Sequence, residues 1–397
     1  MESYSVKLGD IVNCLDYKRI PISSKEREKK KGPYPYYGAQ GIVDYIDNYI
    51  FDGMYMLVAE DGENLRSQNE SIAQIVKGKY WVNNHAHILE SNGKCDIRFV
   101  CYYLNTLNIR GYITGSAQPK LNQDNLLSIK MILPSLKMQK ELADVLDKID
   151  SKISLNTRMN AELEAMAKQL YDYWFVQFDF PDENGNPYKS SGGKMVYNPT
   201  LKREIPAGWE VKSLNQLAQT PKESINPFEN PERDYKHYSI PAFDACGSYL
   251  VEKGEVIQSN KFIVNKGQIL VPKLNPWYNR VILVDSNEYS ICSTEFVILD
   301  AIEDYVKGFL FYTVKTDSFI SYCTKGSTGT SHSQRRVPPE ILKAYNVPYN
   351  KDVASSFTAC VMQQLSMINR NMNEIKQLTH LRDSLLPMLM NGQVTVE

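Results

Sequence analysis

The sequence carries almost no net charge: 45 basic residues stand against 46 acidic ones over 397 residues, leaving −1. A self-sufficient nucleic-acid binder has a strongly basic balance. Any polyanion contact here must therefore come from basic residues gathered on one face, or from a partner that supplies much of the phosphate neutralisation. Cysteine is sparse. The seven positions (14, 95, 101, 246, 292, 323 and 360) are odd in number, scattered and without CxxC spacing. That argues against a disulfide framework or structural zinc and for reduced thiols in a cytosol. No apolar run approaches the roughly 20 residues needed to span a bilayer, and MESYSVKLGD lacks a signal-peptide pattern. A cytoplasmic location is expected. No glycine-rich loop follows a strand, and no nucleophile–base pair stands out, so catalytic residues are expected to be absent. His85 and His87 alternate in a strand-like run, but with no nearby Cys or acidic cluster in the sequence they read as half-exposed strand residues, with no metal site expected.

Against those absences stands a repeat. VKLGDIV (6–12) is echoed by VKSLNQLA (211–218), YYGAQGIVDYI (36–46) weakly by YSIPAFDACGSYL (238–250), and NNHAHIL (83–89) by CSTEFVIL (292–299). RFVCYYLNT (98–106) and GSAQPKLN (115–122) are matched by KGFLFYTVKT (307–316) and GSTGTSHSQRR (326–336). Self-similarity on this scale means one architecture used twice.

Each repeat is followed by an apolar seam whose spacing alternates four and three, the 3.5-residue period of a coiled coil. The first seam runs Leu142, Leu146, Ile149, Ile153, Asn156, Asn160, Leu163, Ala167, Leu170, Trp174. The second keeps the register with Phe357, Val361, Gln364, Ile368, Asn371, Ile375, Leu378, Arg382, Leu385, Leu389. Two long helices are predicted, near 138–175 and 353–390. If the first leads from one globular domain to the other, the second must run back, which makes the pair antiparallel and brings Asn156 and Asn371 near its crossing. The alternatives are ordinary amphipathic helices packed on their own domains, and amides that face solvent. Between the halves, residues 180–209 are rich in Pro, Gly, Ser and Asn and read as a connector. Short β-branched and aromatic runs such as MYMLVAED (54–61) and KFIVNKGQILV (261–271) predict small α/β (α+β) domains with mixed or antiparallel sheet. The expected boundaries are 1–135 and 206–348 for the globular domains, 136–180 and 349–397 for the helices, and 181–205 for the connector.

At this point the motifs resemble a known family. GSAQPKLNQDNLLSIKMILPSLKMQKELADVLDKIDSKISLN (115–156) looks like the junction between the first target-recognition domain and the first central helix of type I restriction–modification specificity subunits. LYDYWFVQFDFP (170–181), REIPAGWEVKSL (203–214) and RDSLLPMLMNG (382–392) look like the connector, the entry to the second domain and the end of the C-terminal helix. The resemblance spans nearly the whole chain. It implies a non-catalytic subunit that binds double-stranded DNA, each globular domain reading half of a bipartite site while the helix pair sets the spacing. It further implies two methylation subunits docked beside the helices, and restriction subunits in the full complex. S-adenosylmethionine and ATP would be held by those partners, with no cofactor in this chain.

Candidate contacts follow from residue chemistry. SSKEREKKKGPYPYYGAQG (23–41) sets Lys29, Lys30 and Lys31 beside Tyr37 and Gln40, joining positive charge for phosphates to groups suited to bases. The repeated junction loops offer Gln118, Lys120 and Asn122 in the first copy. The second copy offers Ser331, His332, Ser333, Gln334, Arg335 and Arg336, with Gln/Asn suited to adenine and Lys/Arg to guanine or phosphate. NPWY (275–278) differs from the methyltransferase tetrapeptide at Trp277 and reads as an aromatic loop tip flanked by Lys273 and Arg280. Trp174 and Phe175 near the end of the first helix, and Leu385, Leu386 and Met388 near the end of the second, are either core or a docking surface for methylation subunits. Two other readings stay open: a solitary adenine methyltransferase with a recognition module, and a coiled-coil adaptor that binds only protein.

Overall fold

The computed structural model describes residues 3–115, 118–329 and 334–390. Two compact units emerge, Met1–Asn156 with Asn373–Glu397, and Thr157–Met372. Both divisions fall inside long helices, because each helix contributes one segment to each unit.

In the first unit the strands are β1 (Ser3–Lys7), β2 (Val12–Cys14), β3 (Lys31–Gly38), β4 (Gly41–Ile46), β5 (Phe51–Ala59), β6 (Ala73–Val82), β7 (Ala86–Ser91) and β8 (Lys130–Pro134). The helices are α1 (Ser24–Glu28), α2 (Asn64–Ser67), α3 (Ile97–Thr106), α4 (Gln123–Ser128) and α5 (Leu136–Tyr171). Six strands form one sheet in the order β2-β7-β5-β6-β3-β4, with β3 and β6 parallel and the other neighbours antiparallel. β1 and β8 form a separate antiparallel ribbon. One face of α3, carrying Phe99, Val100 and Leu104, packs into a core with Met56, Val58 and Leu89 of the sheet.

The second unit repeats this plan with shorter strands: β9 (Met195–Asn198), β10 (Arg203–Pro206), β11 (Glu210–Ser213), β12 (Ala218–Gln219), β13 (Ser224–Ile225), β14 (Asp234–Tyr238), β15 (Leu250–Lys253), β16 (Lys261–Ile263), β17 (Ile269–Pro272), β18 (Ile282–Leu283), β19 (Ser290–Cys292), β20 (Phe296–Ala301) and β21 (Asn346–Tyr349). Its helices are α6 (Leu214–Leu217), α7 (Ile240–Cys246), α8 (Lys307–Thr313), α9 (Asp317–Lys325), α10 (Pro339–Lys343) and α11 (Lys351–Met390). The ribbon β11–β21 corresponds to β1–β8, and the parallel pair β14/β19 to β3/β6. The two-residue turn between β3 and β4 is replaced by α7, an insertion that accounts for the weak sequence match there.

The long helices start for local reasons. Pro134 closes β8, and the wholly buried Gln139 turns back so that its Nε2 donates to the Pro134 carbonyl while its Oε1 accepts from the Asp96 amide. The second helix is capped by Asn350, whose Oδ1 accepts from the amides of Asp352 and Val353, the usual way to satisfy free N–H groups at a helix start. Within the first unit Asp150 pairs with Arg382 at 3.0 Å, and Asn156 donates to Glu374 at 2.8 Å. Within the second, Asn371 donates to Asn160 at 2.9 Å and Trp174 lies against Phe357. Rising numbers on α5 meet falling numbers on α11, so the helices are antiparallel in both units.

The seam serves two kinds of partner. Leu142 and Leu146 belong to the core of the first unit, and Phe357 and Val361 to that of the second. At those positions each helix packs on its own domain, as the simpler alternative held; farther along, the helices pack on each other. The seam amides do not face solvent: Asn156 is 1% and Asn371 4% exposed. Among the described residues no helix is long and apolar enough to cross a membrane.

Candidate nucleic-acid interface

In each unit one corner gathers the end of a central strand, the start of its neighbour and the junction loop. In the first, Thr114 and Asp61 form β-bridges with Lys120, the Glu60 amide donates to the His85 carbonyl, and the Leu121 amide to that of Glu60. In the second, Thr328 and Leu274 bridge Arg336, the Lys273 amide donates to the Glu295 carbonyl, and the Val337 amide to that of Lys273. The equivalences are therefore Lys120 with Arg336, Glu60 with Lys273, His85 with Glu295 and Asp61 with Leu274. The amides of Asn83 and Ser293 likewise donate to the carbonyls of Tyr37 and Tyr238.

Each corner pairs its basic loop residue with an acid drawn from a different place. Lys120 Nζ lies 3.1 Å from Glu60, while Arg336 Nε lies 3.0 Å from Glu295. Burial opposes ionisation of Glu60, but hydrogen bonds from Arg19 and Lys120 outweigh it and hold the carboxyl below its ordinary value. The hydrogen bond to Glu295 raises the Arg336 guanidinium above its already high value. The other residues at the corners differ in sign: Asp61 and His85, 2.7 Å apart, in the first, and Lys273 with Arg335 in the second.

Several expected contacts are already committed elsewhere. Lys29–Lys31 and Gln40 stand at opposite ends of β3, on the order of 20 Å apart at about 3.3 Å per residue, which separates the phosphate and base groups that the sequence spacing set side by side. Lys31 is bound to Asp44 at 2.5 Å, with Arg27 on the same carboxylate at 3.1 Å. These bonds, the Lys31 one foremost, lower the Asp44 carboxyl to about 2. Tyr37 packs edge-on against Tyr80, whereas Gln40 is exposed in the β3–β4 turn, closed by Gly41 at φ +121°. Gln118 and Gln334 are exposed, as are Lys29 and Lys30. Asn122 caps α4, its Oδ1 accepting from Asn125 at 2.8 Å. Arg280 is held by two bonds to Asp244, at 2.7 and 2.8 Å, and lies over Tyr278. Trp277 is half-buried in a tight turn closed by the Tyr278 amide on the Asn275 carbonyl, and Arg335 donates to the Ser327 carbonyl. Ser331, His332 and Ser333 lie outside the described residues.

The reading of Trp174 and Phe175 as a docking surface is overturned. They are 8% and 3% exposed, in a π-helical turn within the core of the second unit. Leu385, Leu386 and Met388 remain half-buried, the first two against the core of the first unit.

His87 is also not a half-exposed strand residue. It is 1% exposed, with Cys14 and Asp16 grouped around it, so an acidic and a sulfur ligand do lie nearby. Its Nδ1 faces Asp16 at 2.5 Å and its Nε2 the Leu121 carbonyl at 2.7 Å, so both nitrogens are engaged. Burial pushes the Cys14 thiol up to about 12. Asp16 resists burial through the His87 hydrogen bond and Arg19, which leave its carboxyl below the ordinary value. The group is a structural lock that ties the β2–β7 edge to the junction loop. Sequence reasoning missed the acids Glu60 and Glu295, together with Arg66, whose Nη2 donates to the Gly115 carbonyl, and Arg110, which donates to the Arg66 carbonyl. No local pattern marks them, since the partners are remote in sequence.

Fold and site together define a tandem protein of two equivalent α/β units, each with a polar loop corner and a segment of both long helices. Residues 2–165 match the family model described as the type I restriction modification DNA specificity domain, and the chain is similar to type I restriction–modification specificity subunits. It is 35% identical over 147 residues to a type I restriction enzyme specificity subunit of Haemophilus influenzae, an alignment covering 37% of each chain. It is 26% identical over 322 residues to the MjaIX specificity subunit of Methanocaldococcus jannaschii, covering 75% of this chain and 69% of that one. The structure is similar to that of the type I system S subunit from M. genitalium, with a TM-score of 0.65, 13% identity and coverage of 98% and 96% of the two chains. At that identity the likeness is one of fold.

Proposed function

We propose that this chain is the non-catalytic DNA-reading subunit of a type I restriction–modification complex, with each unit contacting one half of a bipartite site through its junction corner. The observation that carries this reading is the structural equivalence of the corners: Lys120 and Arg336 occupy the same bridged position in two copies whose surrounding side chains differ. Equivalent placement with different chemistry suits two readers of different sequences. Phosphate contacts would fix register while base edges specify, and Lys29, Lys30, Gln40, Gln118 and Gln334 are the exposed groups available for either role. Two readers on a shared helical scaffold can contact segments about one helical turn apart, roughly 34–36 Å, and leave the intervening bases unread. The near-zero net charge is met by partner subunits: methylation subunits docked along the helices near Leu385, Leu386 and Met388, holding S-adenosylmethionine, and ATP-dependent restriction subunits beyond them, in the cytoplasm.

The test is to co-express the chain with a type I methylation subunit and map modified adenines across the host genome. A single two-part motif with an unread spacer is the expected result. Absence of modification, despite a stable complex and a methylation subunit active with its own specificity partner, would favour a protein-binding adaptor.

A further inference from the structure

The two corner cations differ in what their acids leave free. Glu295 takes the Nε edge of Arg336, through contacts of 3.2 and 3.0 Å, and the terminal nitrogens Nη1 and Nη2 have no partner among the described residues. The side chain is about half exposed, and the backbone beneath it is fixed by its bridge to Thr328, with N–H···O distances of 2.8 and 2.9 Å in the two directions. An arginine held in this way presents the planar two-nitrogen fork that matches the O6 and N7 acceptors of guanine in the major groove. The carboxylate also acts against the competing ligand. A phosphate brought to this guanidinium meets the Glu295 charge, whereas the guanine edge is neutral and does not displace it. In the first unit Lys120 is a point charge held by Glu60, with no such fork.

Resting on the DNA-reading role proposed above, we infer that Arg336 reads a guanine in the half-site of the second unit, and that Glu295 is the positioning residue that directs it to a base and away from phosphate. The acid has moved between the copies, from the strand end occupied by Glu60 to the neighbouring strand start occupied by Glu295. The neutralised cation has stayed in place. That pattern fits a requirement for the pair itself.

The experiment uses the chain assembled with its methylation subunit and compares wild type with R336K, R336A, E295Q and E295D. Motifs are mapped by adenine methylation, and binding to the mapped duplex and to a random-sequence 30-base-pair duplex is measured over a salt series. The expected wild-type motif has a guanine in the half changed by R336A. R336A and R336K both relax that one position, with discrimination falling roughly 5- to 150-fold, as for loss of a bidentate base contact. E295Q weakens the same discrimination, steepens the salt dependence on random duplex by about 0.9 in log–log slope as one phosphate contact is gained, and E295D restores both. A uniform loss of affinity in R336A with every motif position still read makes Arg336 a phosphate contact and overturns the inference, as does an E295Q profile identical to wild type. Failure of the wild-type complex to yield any motif would instead count against the DNA-reading role itself.

Discussion

Phe175 distinguishes core from docking surface most sharply. Its ring lies within 4.7–5.9 Å, centroid to centroid, of Tyr171, Trp209, Phe309 and Phe357. It therefore ties the end of α5 to the start of α11, to α8 and to the entry of the second domain. Removing a buried phenyl ring commonly costs about 3–5 kcal/mol through lost transfer energy and the cavity left behind, and aromatic pairs add about 0.5–1.5 kcal/mol each. The tetrad is shared and its terms are not additive, so Phe175→Ala is expected to cost roughly 4 kcal/mol. With a urea slope of about 2 kcal/mol per molar for a unit of this size, the midpoint of the second unit falls by roughly 2 M. Tryptophan fluorescence reports that transition through Trp174 and Trp209, while Phe175→Leu, which keeps most of the volume, shifts it by less than half as much. A midpoint unmoved by Phe175→Ala, combined with loss of methylation-subunit capture, would refute the assignment of Phe175 to the core.

The amide pair of buried Asn371 and half-buried Asn160 gives a second test. Asn371→Leu alone strands Asn160 and is expected to cost about 1–3 kcal/mol, whereas replacing both by Leu is close to neutral because no polar group is left unpaired; a double variant that costs the sum of the singles contradicts this. Asp44 supplies the pH dependence. Its folded carboxyl, at about 2, lies below the ordinary 3.8, so its contribution is complete above about pH 4 and is lost as pH falls toward 2. The stability gap between wild type and Asp44→Asn, read from urea midpoints of the first unit, should therefore be open at pH 6 and closed near pH 2; a gap constant with pH contradicts it. Within the assembled complex, Lys120→Ala is expected to alter binding at the first half-site alone, by reduced affinity or relaxed readout, leaving the other half of the mapped motif unchanged.

What could be read from the sequence and what could not divides along physical lines. The helices declare themselves because a seam sampled every 3.5 residues repeats ten times in each copy, and the coarse repeat survives because core strands such as Phe51–Ala59 and Ile269–Pro272 must be apolar wherever they occur. Periodicity does not say which partner a seam residue meets: Leu142 and Asn156 share one register, yet the first enters a globular core and the second bonds to Glu374 across the helix pair. Contacts between distant residues left no local trace. Nothing next to Lys31 in the sequence announces Asp44 on the neighbouring strand, and nothing next to His87 announces Asp16, 71 positions earlier. The junction loops are legible in the sequence as a repeated place, but similarity alone sets their equivalence off by a few residues. The structure aligns Lys120 with Arg336 through the bridges to Thr114 and Thr328, whereas sequence similarity alone pairs Gly115 with Gly326.

The most direct test of the account is a module exchange read by methylation. Residues 1–135 are replaced by the corresponding segment of another type I specificity subunit, and the complex with the methylation subunit is mapped on genomic DNA. The account predicts a motif in which one half changes while the other half and the spacer length persist. A motif that changes in both halves, or not at all, would contradict the claim that each unit reads its half independently.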